Sequence, residues 1–453
     1  MKRLVVFLLI ALSTAAVRAQ AGPAPARFRL VTLDPGHFHA SLVQKFMYAD
    51  VDPDVHVYAP PGDDVAEHLK RVDSFNHRAD SPTHWHEEVY TGADFFEKML
   101  AEKAGNVVVI SGNNARKTDY IVRALEAGLH VLADKPMAIN AADFARLQTA
   151  FATAAAKHVL LYDIMTERFE IATILQRELS RQSALFGEVV PGTPDDPAIV
   201  MESVHYFSKV VSGVPLKRPQ WFYDVRQEGE AITDVGTHVV DLVQWELFPD
   251  KLLSPADVEM LRARRWATPI TRAQFQRVTG AADFPEFLRA DVKNGVLQEF
   301  SNTECTYRLR GVSARVVAEW RFEAAAGGDS HHSILRGTNG KLEIRQTAAE
   351  NFKPVLYIAQ GDRAERTVPE PIVAAAIASL QAKFPGVGFR RAGAEWAVTV
   401  PDKYDVGHEA HFAQVTEDFL RYLHEGSVPE WEIAAMLTKY ATTTRAYELS
   451  HRP

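Results

Sequence analysis

Apolar positions follow two regimes along the chain. Between Phe28 and about Ala155, short apolar runs such as "FRLVTL", "DVHVYA", "NVVVI" and "HVLAD" alternate with segments whose apolar residues recur at helical spacing, among them "TDYIVRALEAG" and "NAADFARLQTAFATAAAKH". Strands apolar throughout and separated by amphipathic helices predict a parallel sheet covered on both faces. Gly128 stands where a helix ends before the next strand, and Asn140 where a helix begins. Glycine reaches the left-handed conformation of a helix C-terminus, and an asparagine side chain accepts from the free N–H groups at an N-terminus.

The period then changes. Residues 198–206, 300–310, 313–323, 332–345 and 353–358 alternate apolar with polar over longer runs, which predicts a mixed or antiparallel sheet with one open face. The closing stretch, "HFAQVTEDFLRYLHEGSVPEWEIAAMLTKYATTTRAYELS", predicts two amphipathic helices parted by Gly426 and Pro429. Residues 254–289 read as a polar, partly helical insertion with no assignable role. The fold class is α/β: a parallel-sheet domain over 27–155, then an α+β domain with a large open sheet over 156–453. A length of 453 residues also predicts two domains.

Composition narrows the partners more than the fold. Apolar content of 47% and charged content of 24% suit a soluble globular chain. The opening "MKRLVVFLLIALSTAAVRAQA" joins two basic residues, an apolar run from Leu4 to Leu12 and small residues suited to cleavage after Ala19. Residues 1–19 therefore read as a secretory signal peptide, too short to span a membrane, and a periplasmic location is expected. Its removal takes Lys2, Arg3 and Arg18 away, so the net charge of −8 becomes −11. That balance argues against nucleic acid or an anionic membrane as partner. The single cysteine, Cys305 in the strand-like "FSNTECTYRLRG", allows no internal disulfide and reads as a buried, inert thiol.

Three stretches carry candidate chemistry. The first, "LDPGHFHASL", joins strand to helix as the opening loop of a dinucleotide-binding domain does, but keeps one glycine, Gly36, where three are usual. Asp34 and His39 then occupy the first and third glycine positions. Asp34 suits an Asp-Pro turn, while His37, Phe38 and His39 become candidates to contact a cofactor. The strand "DVHVYA" ends in Ala59-Pro60 where an acidic residue usually holds a ribose, and Asp63 and Asp64 come slightly late for that task.

In the second stretch, "AGLHVLADKPMAIN", Lys135 lies just past a strand end, at the edge of the sheet where α/β folds bind ligands. A solvated surface lysine is the alternative. In the third, "EGEAITDVGTHVVDLVQWELF", Asp234, His238 and Asp241 are spaced i, i+4 and i+7 and share a helix face. A histidine tuned by carboxylates is a candidate general base. The alternatives are a capping role for Asp234 and a core histidine bonded to Asp241.

Together, "VVVISGNNARKTDYIVRALEAGLHVLADKPMAIN" and "DVGTHVVDL" resemble the Thr-Pro-Asn, Glu-Lys-Pro and Asp-x-x-x-His segments of the glucose–fructose oxidoreductase/inositol dehydrogenase/rhizopine catabolism (Gfo/Idh/MocA) family. The likeness runs from about Phe28 to Leu247, and the closing helix pair is similar too. It implies an N-terminal Rossmann-type domain binding NAD or NADP, and a second domain for substrate binding and homo-oligomer contacts. It implies that Lys135 contacts a substrate hydroxyl, and that Asp234 and His238 complete a proton relay with His238 as base. Ser111 and Asn113, in "SGNN", and Asp134, in place of the usual glutamate, would lie by the cofactor. Arg168, in "TERFE", matches a junction motif that sits by the cofactor or packs the domain interface. "SVHYFSKVVSG" resembles the strand bordering the substrate pocket, which makes His205, Tyr206 and Lys209 substrate candidates. His331, in "GGDSHHS", joins them as a hydrogen-bonding partner for sugar hydroxyls. His408 and His411, at i and i+3, could meet on a metal, but no third ligand is evident, so no metal is expected.

In such a site hydride leaves a secondary alcohol carbon for a nicotinamide, a base takes the hydroxyl proton and an ammonium steadies the alkoxide. The expected protein is an exported NAD(P)-dependent oxidoreductase that converts a ring hydroxyl of a sugar or glycoside to a ketone. "DPGHFHA", "SVHYFSK" and "GHEAHF" resemble an exported subgroup acting at the 3-hydroxyl. Export implies a tightly held cofactor, restored by a second substrate or an electron acceptor that the sequence does not identify. Two other readings stay open: a redox-assisted glycosidase with an additional base, and a catalytically silent sugar-binding protein supported by the eroded glycine loop.

Overall fold

The computed structural model describes residues 27–452 apart from residues 212, 250, 325, 327, 363, 365 and 366. The signal-peptide segment, 1–19, lies outside the described residues. A first sheet forms from β1 (Leu30–Leu33), β2 (Asp54–Ala59), β3 (His86–Thr91), β4 (Val107–Ile110), β5 (His130–Asp134) and β6 (Leu161–Ile164). Its order is β3-β2-β1-β4-β5-β6 with every pairing parallel; β1, β2, β4 and β5 fall on the apolar runs, while the largely exposed edge strand β3, HEEVYT, gives no such signal. The sequence order reverses between β1 and β4, which opens a crevice beyond their carboxyl ends. Helices α1 (His39–Val43), α2 (Asp63–Asn76), α3 (Phe95–Glu102), α4 (Asn114–Glu126) and α5 (Ala141–Lys157) alternate with these strands. Gly128 takes φ +82° after α4, and Asn140 accepts from the Asp143 N–H at the start of α5.

Helix α6 (Ile171–Ser180) leads into a large mixed sheet. Strand β7 (Ile199–Ser208) lies inside it, parallel to Val312–Glu323 and antiparallel to Ser330–Arg336. The run 332–345 divides into Ser330–Arg336 and Gly340–Arg345. Within 254–289 the structure holds a long strand, Val258–Thr271, on the sheet edge, followed by a helix, Arg272–Thr279. Its pairing with Val296–Leu309 slips between Met260 and Arg262 and again between Trp266 and Thr268. Each slip resets the alternation of faces, which hides the strand from a period-two reading. Helix α7 (Val235–Leu247) packs against this sheet with most of its residues buried.

The closing helices, His408–Glu425 and Glu430–Ser450, return to the first domain. Phe412, Val415, Phe419, Leu423, Met436 and Tyr440 join the core that contains β1 and β4, while Ala446 joins the core of the second sheet. Buried charges brace this junction. Arg168 donates to both carboxylate oxygens of Asp241, at 2.6 and 2.7 Å, and to Glu432 at 2.9 and 3.0 Å. Lys439, fully buried, lies 2.7 Å from Asp163 of β6 and 2.9 Å from Asp241 of α7. Cys305 is buried and free. No helix among the described residues is long and apolar enough to cross a membrane.

Candidate active site

Lys135 follows the last residue of β5, at the carboxyl edge of the sheet. Helix α4 props it there: Lys117 Nζ donates to the carbonyls of Asp134 and Lys135, at 3.0 and 3.4 Å, and Thr118 donates to that of Met137 at 2.7 Å. The Lys135 ammonium is buried and donates to Asp234, the residue before α7. Asp234 does not cap its helix; its carboxylate is engaged by the lysine. Burial works against the Lys135 charge, but Asp234 and Asp134 outweigh it and hold the ammonium above its ordinary value. Burial likewise opposes ionisation of Asp234, and Lys135 reverses that, holding the carboxyl below the usual range.

His238 lies one turn into α7 and is 7% exposed. Burial, and then Lys135, hold its pKa well below 6.5, so at neutral pH it is the uncharged imidazole that can accept a proton. Its Nδ1 is buried without a partner. Asp241 does not serve it, being turned to Arg168 and Lys439.

A second group of polar side chains comes from the other domain. His205 of β7 lies 3.1 Å from Asp329 and 2.8 Å from the Ser203 hydroxyl, and Lys209 lies 2.6 Å from Asp329. The Tyr206 backbone N–H also reaches Asp329, at 3.2 Å. His408, from the closing helices, lies 3.4 Å from Glu167, which burial and then Glu170 push up to about 7. His331 is near His205, and its Nε2 is buried and unpartnered. The two groups share one field: Asp234 feels His205, and His238 feels both His205 and His408. Glu167 and Asp329 carried no spacing signal, because each meets its partners only across the fold.

The loop after β1 departs from the expected cofactor contacts. Asp34 takes φ +46°, and its carboxylate accepts from Tyr120 at 2.9 Å and Arg116 at 3.4 Å. His37 and His39 turn their Nδ1 atoms toward one oxygen of Asp134, at 3.4 and 2.9 Å, and Ser111 donates to that oxygen at 2.9 Å. Asn113 caps α4 and donates to Gln227 of the second domain at 2.8 Å. Asp34, His39, Ser111, Asn113 and Asp134 thus bond to other protein groups. Of the two readings of Arg168, the cofactor contact is corrected and the interface one holds: Asp241 and Glu432 engage its guanidinium inside the domain junction.

Gly36, His37 and Phe38 line a cavity of about 250 Å³ with Asp63, Asp64 and His68 of α2 and Trp221 of the second domain. A Cβ on Gly36 would come within 2.9 Å of the Trp221 indole and 3.0 Å of the Asp64 carboxylate. Trp221 donates to Asp64 at 2.8 Å. Asp64 therefore faces the glycine from the first turn of α2, the task that Ala59 at the strand end cannot perform. His68 is 2% exposed and both its ring nitrogens lack partners. A carboxylate beside a glycine, with an unsatisfied imidazole nearby, fits the ribose and adenine end of a dinucleotide.

The chain is similar to known oxidoreductases. Residues 63–163 match the family described as "Oxidoreductase family, NAD-binding Rossmann fold", and residues 175–451 match "Putative oxidoreductase C terminal domain". A solved structure described as a "putative oxidoreductase from Parabacteroides merdae ATCC 43184" is 50% identical, with 94% of this chain and 98% of that one covered and a TM-score of 0.92. Levoglucosan dehydrogenase in complex with NADH and levoglucosan shares the fold at 14% identity, with 93% and 96% covered and a TM-score of 0.58. So does a 3-ketoreductase from Actinomadura kijaniata in complex with NADP, at 15% identity, with 93% and 97% covered and a TM-score of 0.54. No curated protein matches the chain.

Proposed function

The chain belongs to the Gfo/Idh/MocA family of NAD(P)-dependent oxidoreductases, and from that premise we propose that it oxidises a ring hydroxyl of a sugar or glycoside, at the 3-position, with a tightly held NAD. The observation that carries this reading is the buried constellation of Lys135, Asp234 and an uncharged His238. The nicotinamide, when bound, supplies the hydride acceptor. Asp234 fixes the Lys135 ammonium beside the reacting hydroxyl, where its charge favours the alkoxide. His238 takes the hydroxyl proton. His205, Lys209, Asp329, His408 and Glu167 offer donors and acceptors in number, as a polyol requires and a simple alcohol does not. The levoglucosan and 3-keto chemistry named for two fold neighbours supports a sugar.

Three carboxylates near the glycine, Asp63, Asp64 and Glu67, favour NAD, since the 2′-phosphate of NADP would meet like charge. The Trp221–Asp64 bond closes over Gly36 from the second domain, which supports slow release of the cofactor. Together with the opening apolar segment, this suits an exported enzyme that keeps its cofactor between turnovers. The test is direct. Purified mature protein is denatured and its released small molecules identified by mass spectrometry, then intact protein is incubated with simple glucosides and artificial electron acceptors. NAD in the first step and a keto-sugar in the second are expected; no keto product with any acceptor refutes the reading. One observation favours a second reading, the redox-assisted glycosidase: Glu167, pushed up to about 7, is an acid or base additional to His238. Free sugar released without an acceptor would select that outcome.

A further inference from the structure

His37, His39 and Asp134 take no part in the proton relay, yet their nitrogen and oxygen atoms lie within 4.8 Å of one another. One Asp134 oxygen is 2.9 Å from His39 Nδ1 and 3.4 Å from His37 Nδ1. A tetrahedral ion with bonds of about 2.1 Å holds its ligand atoms roughly 3.4 Å apart. Hydrogen bonding explains only part of the cluster. The shared oxygen accepts from Ser111, but His37 Nδ1 and the other Asp134 oxygen are buried with no partner. Unpaired buried polar atoms are rare in native folds, and a cation would satisfy both.

Three cations surround the cluster: Lys135 is paired with Asp234, Lys117 donates to the carbonyls of Asp134 and Lys135, and Arg218 donates to those of Phe207 and Tyr206.

We propose that His37, His39 and Asp134 form a binding site for a divalent transition metal of the zinc class, with Ser111 orienting the carboxylate from behind. Two imidazoles and one carboxylate suit zinc, cobalt or manganese better than magnesium or calcium. Three protein ligands leave coordination open, as in catalytic rather than structural metal sites. Asp134 lies within the field of Lys135 and His238, and His37 within that of Asp234, so the ion would sit near the reacting hydroxyl, where it would chelate a neighbouring oxygen of the sugar and polarise it. That role rests on the proposed dehydrogenase reading; the binding of the metal does not.

The test uses the mature protein with its own cofactor retained, freed of metal by a chelator and then titrated with Zn²⁺ by calorimetry and with Co²⁺ by visible absorption. One equivalent should bind, with the ligand-field bands of low-coordinate Co²⁺. His37→Ala removes the 3.4 Å contact to Asp134 and ring packing on Phe38, His39 and Phe222; circular dichroism checks its fold, and its affinity should weaken by more than about 100-fold, the upper effect of losing a partner behind a ligand. Asp134→Asn, with folding followed by circular dichroism, should do the same. Absence of binding at millimolar Co²⁺, or equal binding in His37→Ala, overturns the proposal. Stoichiometric Co²⁺ binding in a protein that oxidises no glycoside would leave the metal site standing and remove only the dehydrogenase reading.

Discussion

Lys135→Met separates the structural from the chemical role of the central ion pair. Methionine keeps most of the stem and deletes the ammonium, which leaves Asp234, 4% exposed, as a buried carboxylate without its cation. Removing one partner of a buried pair costs about 3–5 kcal/mol, because the remaining charge is stranded. The double variant Lys135→Met/Asp234→Asn removes that charge as well, and should return stability to within about 1 kcal/mol of the parent, since a neutral isostere leaves little to desolvate. Activity should not follow. Both variants lack the ammonium that steadies the alkoxide and disturb the relay to His238, so turnover should fall by about 10²–10⁴ in each. Urea unfolding followed by tryptophan fluorescence reads stability, and single-turnover formation of reduced nicotinamide with a glucoside reads chemistry. If the double variant regained turnover along with stability, Lys135 would be a packing residue and the relay argument would fail. If Lys135→Met unfolded at the parent's midpoint, the pair would not be desolvated and the magnitude above would be wrong.

Asp64→Ala should weaken NAD binding at least tenfold and shrink the preference for NAD over NADP, read by fluorescence titration of cofactor-stripped protein; unchanged selectivity would remove Asp64 from the ribose site. Trp221→Ala opens the contact over Gly36 and should speed cofactor loss during gel filtration, whereas retention equal to the parent's would show that the indole is not a latch. Burial pushes His68 from 6.5 to about 3, so below pH 6.5 the unfolded chain takes up a proton that the folded one refuses. Its contribution to stability is therefore present above pH 6.5 and is lost as pH falls toward 3, by about 1.7 kcal/mol between pH 6.5 and 5 at 1.36 kcal/mol per unit. A His68→Gln variant should unfold with a visibly shallower pH dependence over that window, and an identical slope would refute the assignment.

The sequence made some features legible and hid others for physical reasons. The first sheet was readable because β1, β4 and β5 are short, apolar and bounded by caps such as Asn140 and Gly128, all of them local signals. Lys135, Asp234 and His238 were legible as types at meaningful spacings, though the ion pair between the first two spans the two domains and no period encodes it. Three things escaped. The edge strand Val258–Thr271 was hidden by its two register slips. Asp64 was discounted because it stands beyond the strand end, yet the first turn of α2 swings it back to Gly36. In the sequence Arg168 stays open between the cofactor and the domain interface, because its partners, Asp241 and Glu432, lie 73 and 264 residues away. Long-range charge pairing leaves no mark on neighbouring positions, so the motif alone does not fix the task.

The eroded glycine loop follows from what the rest of the chain presses against it. The first glycine of the usual fingerprint permits a tight turn; here Asp34 enters the left-handed region at φ +46°, a conformation aspartate tolerates better than most side chains. The same turn delivers its carboxylate to Tyr120 and Arg116, so its charge is compensated within the protein. The third glycine permits close helix packing; here His39 opens the short α1 and its ring packs 4.6 Å from that of Phe412 on the closing helices. Close approach stays at Gly36 and is shared with Gly112 in the loop after β4. A Cβ on Gly112 would lie 2.0 Å from the Asp34 carbonyl oxygen, and one on Gly36 would meet Trp221 and Asp64. Where side chains replace glycine, they meet protein partners; where the chain must still be approached closely, glycine remains. The loss of two glycines is therefore a repacking of the loop around the second domain and the closing helices, and Gly36 keeps its bare backbone beneath Trp221 and Asp64.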